Sequence, residues 1–185
     1  ANLGPDGLHE AGSFTSHALL QGQSQDVNDG LGKGKRIVIR HSTDAGLSLD
    51  QVFVIYENRP FILTEIEVNG TKDLASNWLA PVVLHPGGSA SPGPGPEPFL
   101  LDAPFDNDEW ARFDNRSLVK KDGPVSGVSH GFTCIYENAS RNGIVIGSVT
   151  HDFWKTGIAY EAGSRDNGVD SLTVFGGVTT PDSQT

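Results

Sequence analysis

Short β-rich segments recur along the whole chain while no window carries a helical stripe with caps at both ends, and this pattern restricts the fold to an all-β one. Residues 35–41, 47–56, 61–69, 78–84, 130–137, 143–153 and 171–175 are rich in Val, Ile, Phe, Tyr and Thr and have strand length. Between positions 62 and 68, Ile62, Ile66 and Val68 are apolar while Glu65 and Glu67 are acidic. That period of two lays one face on a core and the other in water. Residues 107–112 offer one helical turn at most. An antiparallel β-sandwich is the expected architecture.

Turn residues punctuate these runs. Glu57-Asn58-Arg59-Pro60 joins two of them, and residues 138–143 join two more, both at hairpin length. Val54-Ile55-Tyr56-Glu57-Asn58 is echoed by Cys134-Ile135-Tyr136-Glu137-Asn138. Two readings stay open: equivalent hairpins in a large sandwich, or chance recurrence of Tyr and polar turn residues. The chain of 185 residues is about one domain long, so a single domain over 1–185 is expected. Gly (23) and Pro (11) favour turns. Residues 85–98, reading HPGGSASPGPGPEP, cannot build a core and are expected to form a flexible loop within that domain. The first dozen residues and 179–185 read as loosely held.

With 13 basic against 23 acidic residues, the net charge of −10 excludes a nucleic-acid binder, which needs clustered cations, and disfavours an anionic membrane. No run approaches the ~20 apolar residues of a membrane helix. Cys134 is the sole cysteine, so no internal disulfide can form, and its apolar surroundings make it a small hydrophobe before a nucleophile. The chain opens at Ala1 and has no Met, so its natural N-terminus is expected upstream, lost with a signal peptide or left out of the stretch studied. A secreted or periplasmic protein is the corresponding expectation.

No P-loop, dinucleotide fingerprint, zinc-protease helix or serine elbow occurs. Gly30-Leu31-Gly32-Lys33-Gly34-Lys35 precedes a strand, where a phosphate loop would lead into a helix, so it reads as a turn. Asp26-Val27-Asn28-Asp29-Gly30 begins like a calcium loop, but an EF-hand would need Gly and Glu where Leu31 and Ile37 stand. No cofactor is expected; calcium in another geometry stays open because oxygen ligands are plentiful. The six histidines lack zinc spacing. Three Asn-x-Ser/Thr sequons start at Asn69, Asn115 and Asn138.

Residues 103–114 hold the densest mixture of carboxylates, aromatics and Arg, and residues 150–155 form a second such cluster. Sugars are recognised by flat aromatic faces against C–H patches with Asp, Asn, Arg or His on the hydroxyls. Asp106, Asp108, Trp110, Arg112, His151, Trp154 and Trp78 are therefore the candidate carbohydrate-binding residues. Against this, most Trp residues are core or rim residues. Asp106 and Asp108 lie on one loop and cannot easily embrace a glycosidic bond from two sides, so no catalytic pair is assigned.

The order of segments resembles a known family. Residues 26–39 with their Leu31-Gly32-Lys33-Gly34-Lys35-Arg36 turn, then 46–56 and Arg59-Pro60-Phe61-Ile62-Leu63, resemble the N-terminal β-supersandwich of family 36-type α-galactosidases. Pro104-Phe105-Asp106-Asn107-Asp108, Tyr136-Glu137-Asn138 and residues 142–157 are similar to the same domain, so the likeness spans about 20–178. The resemblance implies a supersandwich-like accessory domain of a glycoside hydrolase. Its catalytic aspartates would lie in a following (β/α)₈ barrel of the same protein, which alone needs about 250 residues. Two alternatives accompany it. One is a free-standing carbohydrate-binding module. The other is a small β-sandwich lyase or hydrolase using Tyr136 or His130 with Arg112.

Overall fold

The computed structural model describes residues 10–70, 75–87, 90–105, 110, 112–119, 122–150, 154–163 and 168–177. Among these the protein is all-β: a 3-10 turn at Ala11–Ser13 precedes strands joined into antiparallel sheets, and no α-helix occurs. The chain packs as two compact units, residues 1–81 with 180–185, and residues 82–179.

The first unit is built on β1 (Ser16–Leu19), β2 (Gln25–Asp29), β3 (Gly32–Ser42), β4 (Ser48–Tyr56) and β5 (Ile62–Asn69), in the order β1-β3-β4-β5 with β2 also on β3. Asp29 caps the β2–β3 turn by accepting from the Leu31 N–H at 2.8 Å, so the glycine-rich stretch is a hairpin turn, as its position before a strand implied. Val38 and Val52 are fully buried opposite one another on β3 and β4. Phe14 and Leu49 form a second buried pair, covered by Leu47, Ile66, Val68 and Leu79.

The second unit is a sandwich of two sheets. β7 (Pro98–Asp102), β8 (Asp114–Ser117), β10 (Phe132–Glu137) and β11 (Gly143–Gly147) run in the order β11-β10-β7-β8. The facing sheet is ordered β6-β13-β12-β9, from β6 (Trp78–Leu84), of which residues 82–84 belong to this unit, β9 (Val125–His130), β12 (Thr156–Ala162) and β13 (Val169–Gly177). Leu100, Leu118 and Ile135 of the first sheet's layer meet Ile158, Tyr160, Leu172 and Val174 of the other in one buried cluster. Residues two apart share a face, so along β7 and β10 the inward side chains alternate with half-buried ones.

The proline-rich stretch 85–98 carries specific partners. Ala90 and Val169 exchange backbone hydrogen bonds at 3.2 and 2.9 Å. The Glu97 N–H donates to Glu137 Oε1 at 3.1 Å, and Gly95 lies so close that an added Cβ would come within 2.2 Å of Glu137 Cγ.

The two Tyr-Glu-Asn segments sit on opposite faces of their sheets. Ile55 pairs with Ile62, whereas the last pair of the second hairpin is Tyr136 with Gly143. A slip of one residue inverts every side chain. Hence Ile55 is exposed and Tyr56 buried, while Ile135 and Glu137 are buried. Glu137 then serves its own turn, Oε2 accepting from the Ser140 N–H at 2.6 Å, and these bonds hold its carboxyl below the usual range.

Candidate functional site

Two places in the described residues could receive a ligand. The first is a groove of about 550 Å³ over β2, β3 and β4 in the first unit, lined by Asp26, Asn28, Lys33, Lys35, Ile55 and Tyr56, among others. Its one aromatic, Tyr56, is buried and donates its hydroxyl to Asp29 at 2.8 Å. That bond is the main reason Asp29 is held below its usual range. No ring face lies open there. No group of three His, Cys, Asp or Glu that could hold a metal gathers among the described residues.

The second place is one end of the sandwich in the second unit. Ser129 Oγ accepts from the Ala103 N–H at 2.8 Å and donates to the Phe132 carbonyl at 2.7 Å, while the His130 N–H donates to the Ala103 carbonyl at 2.9 Å. These three bonds tie the end of β9 to the chain leaving β7 and to the start of β10. The tie brings Phe105 edge-on to His130, with ring centroids 5.0 Å apart. The Lys155 ammonium sits 4.0 Å from the centre of the same Phe105 ring, a cation–π contact. The two aromatic-rich clusters of the sequence therefore meet, Phe105 from the first and Lys155 from the second, with His130 edge-on to Phe105.

Further exposed rings lie near these residues in the sequence. Phe113 and Phe132 lie 6.1 Å apart, and both are among the exposed large apolar side chains with Phe105 and Trp154. Trp154 is 39% exposed and leans on β13, where an added Cβ on Gly176 would come 3.4 Å from its ring. Nearby, the Tyr160 hydroxyl donates to Asp102 Oδ2 at 2.8 Å, and Arg116 reaches the same oxygen at 3.4 Å and Asp114 at 3.2 Å. Burial first, and then the bond to Asp102, push the Tyr160 hydroxyl far above its usual range. A phenol so held is a poor base, and its work is to fix Asp102.

His130 is driven the other way. Burial, and then the positive charge of Lys155, lower its pKa below the ordinary 6.5. Its Nδ1 is buried without a hydrogen-bond partner among the described residues. The folded protein thus binds fewer protons at this site than the unfolded chain. Its contribution to stability is intact above about pH 6.5 and declines as pH falls toward the lowered value. Replacing Lys155 by Gln is expected to raise the His130 pKa toward 6.5, read as the midpoint of its imidazole proton resonances in an NMR titration; an unmoved midpoint would exclude the Lys155 contribution.

The other candidates of the sequence are placed as follows. Trp110 is the most exposed large apolar side chain at 82%, and Arg112 is exposed two residues on. Trp78 lies in β6 and is 7% exposed, so its ring is packed away and offers no platform. Asp106, Asp108 and His151 lie outside the described residues. Tyr136 donates to Asn115 at 3.1 Å and stacks on Phe99 at 5.8 Å on β10 and β7. His130 has Phe105 and Lys155 as its neighbours, so no hydrogen bond or ring contact joins it to Tyr136. The Tyr160–Asp102–Arg116 network had no local signature, since its partners are far apart in sequence. Comparison with known proteins places none beside this chain: no family model, no curated protein and no solved structure matches it.

Proposed function

We propose that this chain is a carbohydrate-binding β-sandwich, the accessory domain of a secreted glycoside hydrolase of α-galactosidase type, with no catalytic pair of its own. The observation that carries the reading is the convergence of Phe105, His130 and Lys155, with open rings of Phe113, Phe132 and Trp154 close by in the chain. A sugar ring offers C–H faces to such aromatics and hydroxyls to an ammonium and an imidazole, which is the usual division between apolar wall and orienting polar group. Phe105 and Trp154 are the platforms and Lys155 the hydroxyl donor. The resemblance implies the galactoside class, with the hydrolytic aspartates in a following (β/α)₈ barrel of the same protein.

The test is a glycan-array screen of the purified chain beside Phe105→Ala and Trp154→Ala. Neither side chain belongs to the buried core, and a far-ultraviolet circular dichroism spectrum equal to the parent's shows that each variant is folded. The expected result is binding to galactosides that falls at least tenfold in each variant. A folded chain that binds no glycan, or variants that bind as the parent does, would reject the site.

A further inference from the structure

Independently of the sugar reading, we infer that the open edge of β11 is a pairing site for a second copy of this chain, strand against strand about a two-fold axis through Val145. β11 is the outer strand of its sheet, with Val145 73% and Ile144 41% exposed. The β10–β11 ladder is bracketed by two backbone bonds, Glu137 N–H to the Asn142 carbonyl at 2.9 Å and Ser148 N–H to the Gly131 carbonyl at 3.2 Å. Bonded and non-bonded pairs alternate along an antiparallel ladder. Counting inward along the register, Ile144 and Ile146 spend their N–H and C=O groups on β10, opposite Ile135 and Thr133. The groups of Gly143, Val145 and Gly147 point to the open edge.

Those three residues are arranged to meet themselves. Gly143-Ile144-Val145-Ile146-Gly147 reads the same in both directions. A two-fold axis at Val145 sets it opposite Val145 of the second copy, and Gly143 opposite Gly147 of the second copy. Every outward residue then donates one bond and accepts one, in an isologous contact that closes on itself. Side chains do not obstruct it. A Cβ on Gly143 would approach Tyr136 Cβ at 3.1 Å, and one on Gly147 would approach Phe132 Cβ at 2.9 Å. The aromatic residues thus flank bare backbone, and pairing aligns Phe132 of one copy with Tyr136 of the other.

Sheet edges that must stay unpaired commonly carry charges or proline. β8, the other edge of this sheet, has Asp114 and Arg116. β11 has neither charge nor proline; the edge strands β1 and β9 lack them too, so it is the self-complementary sequence of β11 that sets it apart. Arg141, the nearest charge before it, falls opposite Val149 of the second copy, so no like charges meet. The contact is short against the roughly 1,200–2,000 Å² of a standard interface, so the association is expected to be weak.

Sedimentation velocity of the chain at rising concentration up to about 1 mM, where even a weak complex forms, is the test. The expected result is a reversible monomer–dimer equilibrium. Val145→Lys brings two ammonium groups together at the axis, and Val145→Pro removes an outward N–H that the β10 ladder does not use. Both variants should stay monomeric while keeping the parent's far-ultraviolet circular dichroism. A parent that is monomeric throughout, open-ended oligomers, or a dimer that survives in both variants would overturn the inference.

Discussion

Replacing Asp50 by Ala is expected to lower the stability of the first unit by about 3 kcal/mol, measured as the free energy of urea unfolding. Asp50 is 1% exposed and faces Arg40 across the β3–β4 ladder. Its Oδ1 accepts from Arg40 Nε at 2.7 Å, Oδ2 accepts from Arg40 Nη2, and Asn69 Nδ2 approaches the same oxygen at 3.5 Å. A fork of this kind fixes geometry as well as charge. Removing the carboxylate leaves a guanidinium whose side chain is only 35% exposed to recover its bonds from water. The Arg40→Ala variant should cost at least as much, because it leaves Asp50, 1% exposed, as a buried carboxylate with only the long Asn69 contact, and the double variant should cost less than the sum of the two. An Asp50→Ala loss under about 1 kcal/mol would mean that the pair is a surface ornament.

Leu100→Ala in the second unit is expected to cost about 2–5 kcal/mol. Leu100 is fully buried on β7, packed with Leu118, Ile135 and Ile158 from both sheets, so truncation opens a cavity that no single layer can close. The Tm of a chain of this length should fall by roughly 2–4 °C for each kcal/mol lost. Leu101, one residue on, faces away from that core and is half-buried. Its truncation should cost clearly less, and equal losses at the two positions would contradict the alternation of faces along β7.

The all-β architecture was legible because the strongest strands declare themselves: β3, β4, β5, β6, β10, β11 and β13 all overlap runs rich in Val, Ile, Phe or Tyr. The turn at Asp44-Ala45-Gly46 even sets the register that places Arg40 opposite Asp50. Strands that sheet neighbours hold in place were not legible. β2 reads QDVND and β8 reads DNRS, polar sequences whose local preference is for turns and which extend only by pairing with β3 and β7. β11 stops at Gly147, short of the apolar run that suggested a strand to 153, and Gly131 with φ +80° sets His130 apart as the end of β9, so the strand expected over 130–137 begins at Phe132. The sequence repeat at Tyr56 and Tyr136 concealed opposite faces, because a one-residue difference in register carries no compositional trace.

At the candidate site, residue types were legible and partners were not. Phe105 and Lys155 belong to clusters that composition singles out, yet only the pairing of β12 with β9 brings Lys155 toward His130. Trp78 shares its residue type with Trp154 but begins β6 with its ring packed away, a difference of burial that one residue letter cannot convey.

The reading turns on whether a sugar settles against Phe105, His130 and Lys155. An NMR titration of the chain with galactosides, following the His130 imidazole and Trp154 indole resonances, addresses this directly. The account predicts that both move and saturate together at one ligand concentration, and that Phe105→Ala abolishes the movement. Resonances at this end that stay fixed, or shifts confined to Tyr56 and Lys35 in the groove of the first unit, would contradict it.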